Sequence, residues 1–295
     1  MRLSIVIAAW NGSSSLERCL QSLPSDGLVA DTEVLVITNF DGGTREMLQH
    51  HFPYVQHVSM SPGTTVPQLR SAGIRRSTGD IVALAEDHCT FAKNWCSELK
   101  KSHELPFSVI GGAVENASIE RALDWAVYFY DYGKFMLPFM AGLVPALSGN
   151  NVSYKRAALQ EVEESFRQGF FEPFTHGELA RRGHSLYLTP SVVVYHQKRY
   201  KTRDAVVQAY HLARSFAGKR VMGLPSRQRA AFAAGSLVLP LLLPGRIVLR
   251  TLRKRRLVPQ LVKSLPYLLV LTTIWSFGEF CGYFAGPGRS TDEWK

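Results

Sequence analysis

The N-terminal third of the chain alternates between short apolar runs and amphipathic segments. Residues 3–9, 33–38 and 81–85 are dominated by Val, Ile, Leu and Ala, which is typical of strands buried on both faces of a sheet. A helix is predicted over 13–23, where apolar residues recur on one helical face, and another over 68–77. Strand and helix alternate within about 90 residues, which predicts a doubly wound parallel sheet. Further elements are predicted at 44–51, 55–58, 95–101, 109–114 and 185–195.

Polar side chains follow three of these strands. They are Asn11 after the first strand, Asn39 and Asp41 after the second, and Glu86, Asp87 and His88 after the third. In open α/β sheets, ligands bind outside the carboxyl ends of the strands, so this edge is the expected place for a nucleotide. Carboxylate oxygens are preferred by hard divalent cations, so the acidic cluster is a candidate cation site beside a diphosphate. The alternative is a set of ordinary turns, which Asn, Asp and Gly also favour.

Several other classes of site are disfavoured by the absence of their motifs. No GxGxxG follows the first strand, no GxxxxGK[ST] occurs, and no GxSxG turn is present. The four cysteines are Cys19, Cys89, Cys96 and Cys281, and none form a CxxC pair. His88 directly precedes Cys89, and adjacent side chains rarely form a nucleophile and base pair. The sequence therefore argues against a dinucleotide-binding protein, a P-loop nucleotidase, a hydrolase and a zinc-ribbon protein.

Positive charge is concentrated in the C-terminal third. The formal net charge is +10, but residues 198–263 carry 16 Lys and Arg residues against one acid. The remainder carries 18 basic against 23 acidic residues. Leu, Val, Ala and Phe surround these charges, and few aromatic residues are arranged to stack on bases. We therefore expect an anionic membrane surface as the partner of this region, and no nucleic acid.

Two apolar runs flank the basic cluster at 253–256. Residues 230–245 carry no charge but include two prolines, and residues 264–288 carry one charge, Glu279. A span needs about 20 apolar residues, and the positive-inside tendency places the basic loop in the cytoplasm. We expect the nucleotide site predicted above to face the cytoplasm as well. At least one run is therefore expected to lie in the interface or to re-enter. The alternative is that both are buried helices of a soluble oligomer.

The order of motifs resembles the family-2 glycosyltransferases of GT-A fold over residues 3–218. Each match alone is weak, but they occur in the family's order at fitting distances. The matching segments are 4–11 with the helix 13–23, 70–74 followed by 78–80, 85–89, 148–151 followed by 155–156, and 171–172 followed by 178–183 and 190–196. The resemblance implies an α/β fold of GT-A type over 1–218. This is the Rossmann-like fold of nucleotide-diphospho-sugar transferases, with a mainly parallel sheet. The basic, hydrophobic region 219–295 would form membrane-associated helices.

The resemblance also implies roles for particular residues. Asp87, with Glu86 or His88, would hold a divalent cation (Mg²⁺ or Mn²⁺) on the donor, and His196 would be a further ligand. Glu172 would be the general base, with Glu178 as its competitor. The residues expected around the nucleotide are Asn11, Asn39, Asp41, Arg70, Asp80 and Asn150.

The sequence departs from the family pattern at three points. Glu-Asp-His stands where relatives carry Asp-x-Asp, so the division of the metal contacts among Glu86, Asp87 and His88 stays open. Relatives usually carry an Asp near position 38, so the nucleoside contact shifts to Asn39 or Asp41. Glu172 is followed by proline, where many relatives have Glu-Asp.

The predicted function is metal-dependent, inverting, hexosyltransferase-like sugar transfer in polysaccharide or glycolipid biosynthesis. The donor is a nucleotide sugar, and the acceptor is membrane-bound or lipid-linked. The enzyme would be membrane-associated with its catalytic domain facing the cytoplasm, and a homo-oligomer is possible. One rival is a catalytically silent GT-A-like scaffold or nucleotide-binding membrane partner protein. A nucleotidyltransferase is disfavoured because the turn after the first strand lacks a basic residue.

Overall fold

The predicted alternation of strands and helices forms at the start of the chain. The structure is a computed structural model that describes residues 1–23, 31–40 and 42–293. The first elements in chain order are β1 (Leu3–Ala9), α1 (Ser13–Gln21), β2 (Thr32–Thr38), α2 (Thr44–His51), β3 (Val55–Ser59), α3 (Val66–Arg76), β4 (Ile81–Glu86), β5 (Cys89–Phe91) and α4 (Trp95–Ser102).

The central part of the chain adds further strands and short helices. These elements are β6 (Val109–Asn116), α5 (Ala122–Asp131), β7 (Gly142–Leu143), β8 (Val152–Lys155), α6 (Arg156–Glu161), a 3-10 turn (Glu163–Phe166), α7 (Glu172–Arg181) and β9 (Leu186–His196).

The strands of the described residues form one nine-stranded sheet in the order β3-β2-β1-β4-β8-β6-β9-β5, and β7 pairs with β9. The first four strands along this path are parallel, with register pairs such as Ala8 with Glu86. β8 enters antiparallel between β4 and β6, and β9 runs antiparallel to β5. The predicted α/β class is confirmed, and its parallel part is the sheet that carries the expected site.

Local sequence explains how α3 begins. Thr65 and Gln68 form a capping box, in which the backbone N–H of Thr65 donates to Oε1 of Gln68 at 2.8 Å. Pro67 stands in the first turn, where a missing backbone N–H costs nothing. This cap fixes the start of the helix that carries Arg70.

The chain divides into two compact units. The first comprises Met1–Glu115 and Phe135–Gln197, and it contains the sheet. The second comprises Asn116–Lys134 and Lys198–Lys295. The sequence boundary at residue 218 falls inside a helix of the second unit, and it stays a prediction about where the catalytic region ends.

The elements that lie wholly within the described part of the second unit are helices. The unit contains α5, α8 (Thr202–Arg220), α9 (Ser226–Ser236), α10 (Leu239–Lys254), α11 (Val258–Ala285) and a 3-10 turn (Gly288–Thr291). Two glycines of α11 allow close packing against α8. A Cβ at Gly278 would lie 2.6 Å from the carbonyl oxygen of Tyr210, and one at Gly282 would lie 2.5 Å from that of Arg214. The two backbones approach closely there, so no side chain larger than glycine fits at these two positions.

One helix among the described residues, α11, is long and apolar enough to cross a membrane. Of its most apolar stretch, 39% is buried within the protein. The pair α9 and α10 meets the same length and composition test only when taken together, and it is bent by 57°. Apolar side chains exposed in this unit include Leu237, Val238, Leu241, Leu249, Val262, Leu269, Val270, Phe277 and Phe284.

Candidate functional site

Asp87 joins the ends of two neighbouring strands. Because β1 and β4 are parallel with Ala8 opposite Glu86, the turns that follow them lie side by side. The fully buried Asp87 accepts hydrogen bonds from the backbone N–H of Trp10 (2.9 Å) and Asn11 (2.7 Å) and from the Asn11 side-chain amide (2.7 Å). Both carboxylate oxygens therefore anchor the turn after β1. Asp87 is used here as an anchor, whereas the sequence put it forward as the main metal ligand.

His88 is fixed from several sides. Its Nε2 lies 3.1 Å from Oε2 of Glu86, and its Nδ1 lies 3.4 Å from Oδ1 of Asp87. The ring also meets the rings of Trp10 and His196 edge-on, with centroids 5.2 and 4.7 Å apart. His196 arrives from β9, whose antiparallel pairing with β5 sets it opposite the residue after His88. The structure thus brings Glu86, His88 and His196 together.

Arg70 bridges two buried carboxylates. Its guanidinium donates to Oε1 of Glu86 through one nitrogen and to Oε1 of Glu172 through the other. All three residues are at least nine-tenths buried, and buried charges persist only when they are paired. Burial alone would raise the pKa of Glu86, but the charge of Arg70 and the contact with His88 outweigh it and lower that pKa to about 2. Glu86 is therefore a carboxylate at neutral pH.

The loop before β8 lies against Glu172. Gly149 is required there, because a Cβ at this position would lie 1.5 Å from Oε1 of Glu172. Next to it, the buried Asn150 donates from its amide to Sγ of Cys89 at 3.6 Å and accepts from the Ser148 hydroxyl at 2.7 Å. The loop therefore connects Glu172 to the start of β5.

The remaining residues expected at the nucleotide differ in where the structure places them. Asn39 follows β2 at the same edge and donates to the carbonyl oxygen of Thr64 at 2.7 Å, which closes the loop before α3. Asp41 lies outside the described residues.

The prediction that Asp80 lies at the nucleotide is corrected by the structure. Asp80 precedes β4, whereas Glu86, Asp87 and His88 lie at the other end of that strand. Asp80 lies at the amino end of the strand, where it accepts from the backbone N–H of Arg2 at 2.8 Å. The six residues of β4 put it about 20 Å from the Glu86 edge. Asp80 is therefore not part of the pocket.

The two candidate bases occupy different environments. Glu172 begins α7 and is buried in contact with Arg70. Glu178 lies further along the same helix, where it is partly exposed and forms ion pairs with Arg181 and Arg182. Only Glu172 is brought to the cluster.

Among the described residues, one group could hold a metal ion. Ligand atoms of Glu86, His88 and Cys89 lie within 4.8 Å of one another, and all three residues are buried. A carboxylate, an imidazole and a thiol fit a divalent transition cation. From the sequence, Cys89 was weighed only as a nucleophile and not as a metal ligand. Its position directly after His88 was a signal for metal binding.

Comparisons with known proteins bear on the fold and the family. No curated protein matches the sequence. The fold is similar to GalNAc-T7 with UDP, GalNAc and Mn²⁺ (TM-score 0.54, 17% identity, 68% of this chain and 44% of that one). It is also similar to the mannosyltransferase PcManGT from Pyrobaculum calidifontis in complex with GDP-Man and Mn²⁺ (TM-score 0.55, 16% identity, 100% of this chain and 88% of that one).

These likenesses confirm the GT-A fold. The family model described as glycosyl transferase family 2 matches residues 4–163, which is more than half of the sequence. The chain belongs to glycosyl transferase family 2.

Proposed function

We propose that this protein transfers a sugar from a nucleotide-diphosphate donor to a membrane-bound or lipid-linked acceptor, with inversion. The observation that carries the proposal is the buried bridge Glu86–Arg70–Glu172, which joins the carboxyl end of β4 to the candidate base. Support also comes from membership of the family and from structural neighbours that were crystallised with UDP or GDP-Man and Mn²⁺.

The donor would lie along the carboxyl edge of the parallel strands, where such ligands bind. Asn11 and Asn39 would contact the nucleoside, because each follows a strand at that edge. Asp41 remains a predicted contact. Asn150 would face the sugar side, since it sits between Cys89 and the Gly149 turn.

Glu86 and His88 would hold a divalent cation, with His196 beside them. When bound, such a cation offsets the negative charge that develops on the leaving diphosphate. Arg70 keeps Glu86 ionised and in place, so the carboxylate is ready to act as a ligand.

Glu172 would act as the general base. It would take the proton of the acceptor hydroxyl as the hydroxyl oxygen attacks the anomeric carbon on the face opposite the diphosphate, so the configuration inverts. Arg70 holds the Glu172 carboxylate through Oε1, and the Gly149 backbone lies close against it. A carboxylate fixed in this way loses little entropy on reaching the reactive geometry.

The second unit would attach the enzyme to a membrane. The helix α11 would insert, and the bent pair α9–α10 would lie in the interface or re-enter. The basic run at 253–256 and the catalytic region would both face the cytoplasm. A protease-cleavable tag at residue 255 is expected to be cut from the cytoplasmic side, and protection there would contradict this arrangement.

A panel of nucleotide sugars distinguishes an enzyme from a silent scaffold. The purified full chain is incubated with Mn²⁺ and each donor, and donor hydrolysis and thermal shift are measured. An enzyme is expected to show a thermal shift and slow hydrolysis with one donor. A shift without any hydrolysis would indicate a nucleotide-binding scaffold, and no response to any donor would contradict the proposal.

A further inference from the structure

Cys89 has a buried thiol that takes no part in the proposed sugar transfer. It begins β5 and is fully buried, with its Sγ accepting from the Asn150 amide. Burial and then the nearby carboxylate of Glu86 raise the pKa of the Cys89 thiol. Without a metal it is therefore protonated and a poor nucleophile at neutral pH. Its position beside Glu86 and His88 suggests a different role.

The three ligand atoms are already close to the spacing of a metal site. Ligands of one transition metal ion at about 2.0–2.3 Å from it are separated by about 3.3–3.8 Å from one another. The ligand atoms of Glu86, His88 and Cys89 all lie within 4.8 Å of one another, so small side-chain rotations would close the site.

The imidazole of His88 is held in one orientation by polar neighbours on both ring nitrogens. Its Nε2 lies 3.1 Å from Oε2 of Glu86, and its Nδ1 lies 3.1 Å from the side-chain nitrogen of Asn11 and 3.4 Å from Oδ1 of Asp87. A carboxylate behind a ligating histidine fixes the ring and raises its basicity. Asp87 itself is held by the backbone of Trp10 and Asn11, so this support is rigid. The anchoring role of Asp87 thus leaves metal binding to its two neighbours and Cys89.

The chemistry of the three ligands selects among cations. Mg²⁺ requires nearly ideal octahedral oxygen coordination, whereas this group offers one carboxylate, one imidazole and one thiol. Thiolate and imidazole ligands favour Zn²⁺, Co²⁺ and similar ions.

We infer that Glu86, His88 and Cys89 form a site for a thiophilic divalent transition metal, with the Cys89 thiolate as a direct ligand. The inference deepens the proposed function, because it rests on that function for the placement of the cation beside the donor.

Binding involves no change of oxidation state. The S–H bond of Cys89 breaks, its proton passes to solvent, and a sulfur lone pair forms the bond to the metal. Oε2 of Glu86 exchanges its contact with His88 Nε2 for the metal, and Oε1 keeps its contact with Arg70. His88 binds as the neutral imidazole: its proton moves from Nε2 to Nδ1, which faces Oδ1 of Asp87.

Cobalt spectroscopy tests this inference directly. The metal-free full chain is titrated with Co²⁺, and the near-ultraviolet band that reports a cobalt–thiolate bond is recorded. We expect a band that saturates at one Co²⁺ per chain and that Mg²⁺ in large excess does not abolish. Cys89→Ser is expected to lose the band. Cys96→Ser and Cys19→Ser, which change two other buried thiols, are expected to keep it.

Absence of the band in the wild-type protein, or its persistence in Cys89→Ser, would overturn the inference. Should Cys89→Ser fail to fold, X-ray absorption of the zinc-loaded wild-type protein decides the question. One sulfur at about 2.3 Å supports the site, and a shell of nitrogen and oxygen alone contradicts it.

Donor hydrolysis with Mn²⁺ but no thiolate band would reject only this inference. A band without any donor response would reject only the proposed function.

Discussion

At the scale of single residues, Arg70 balances the negative charges of two buried side chains. One guanidinium serves two buried carboxylates, Glu86 and Glu172. Its planar fork has donors that point in different directions, which a lysine ammonium on a flexible stem does not reproduce. Glu172 in turn fills the space that a side chain at Gly149 would need. These four residues therefore behave as one packed unit, and a change at any of them moves the others.

Gly149→Ala tests this packing. The added methyl group collides with the Glu172 carboxylate, so the carboxylate must shift away from its position against Arg70. Displacement of a reacting group by about 1 Å costs about 100-fold in rate, and we expect a loss of that order in donor turnover. Gly177→Ala is the matched control, because it lies on the same helix as Glu172 and its Cβ meets no atom within 4 Å. An unchanged rate in Gly149→Ala would contradict the packing argument.

His103 predicts a pH dependence of stability away from the site. It is 1% exposed, with Nε2 2.7 Å from the Ser153 hydroxyl, and burial, followed by the charge of Lys155, lowers its pKa from 6.5 to about 4. Between these values the unfolded chain binds more protons than the folded one. Stability is therefore complete above about pH 6.5 and falls by about 2–3 kcal/mol toward pH 4. Urea unfolding across this range should show the loss, and His103→Gln should reduce it.

At the scale of elements, local patterns predicted the parallel part of the fold well. The apolar runs of β1, β2 and β4 and the helices between them lie where the sequence expects them, because burial on both faces leaves a pattern within each segment. The three-residue β5 was missed, because its pairing with β9 depends on contacts across more than 100 residues.

The candidate site was predictable only in part for the same reason. The strand-end position of Glu86 and the resemblance of His196 to a closing-strand histidine indicated residues that the structure brings together. The anchoring of the β1 turn by Asp87 depends on side-chain geometry that no local pattern records. The error at Asp80 was avoidable, since a residue before a parallel strand lies at the opposite edge.

Gly278→Leu tests the contact between α8 and α11. The new side chain would have to enter a space in which even a Cβ lies 2.6 Å from the carbonyl oxygen of Tyr210. Overpacking of this kind typically costs about 1–3 kcal/mol, so we expect a lower thermal midpoint for the second unit. Val262→Leu is the control on the same helix, because Val262 is 58% exposed and its change should affect stability little. Equal midpoints for the two variants would contradict close helix contact.

At the scale of the whole molecule, charge and apolar surface occur in the same region. Residues 198–263 hold 16 basic side chains, and the helices of the second unit expose several leucines, valines and phenylalanines. A basic stretch with an apolar surface is attracted to anionic lipid by both electrostatic and hydrophobic terms.

Vesicle flotation tests the membrane partner. The full chain is expected to float with vesicles that contain anionic lipid and to bind less as salt is raised, because salt screens surface charge. A variant with glutamine at Arg253, Lys254, Arg255 and Arg256 removes four charges worth about 1 kcal/mol each near the surface, so its binding should fall at least about 100-fold. Equal binding to neutral and anionic vesicles would contradict the electrostatic part of this prediction.

The central claim is that Glu172, held by Arg70 at the end of β4, performs the proton transfer of a sugar-transfer reaction. The most direct test compares donor turnover and donor affinity in Glu172→Gln and Glu178→Gln, with folding checked by circular dichroism. We expect Glu172→Gln to lose about 100-fold or more of its turnover while it still binds donor, and Glu178→Gln to match the wild type. Turnover by Glu172→Gln at the wild-type rate would contradict the claim.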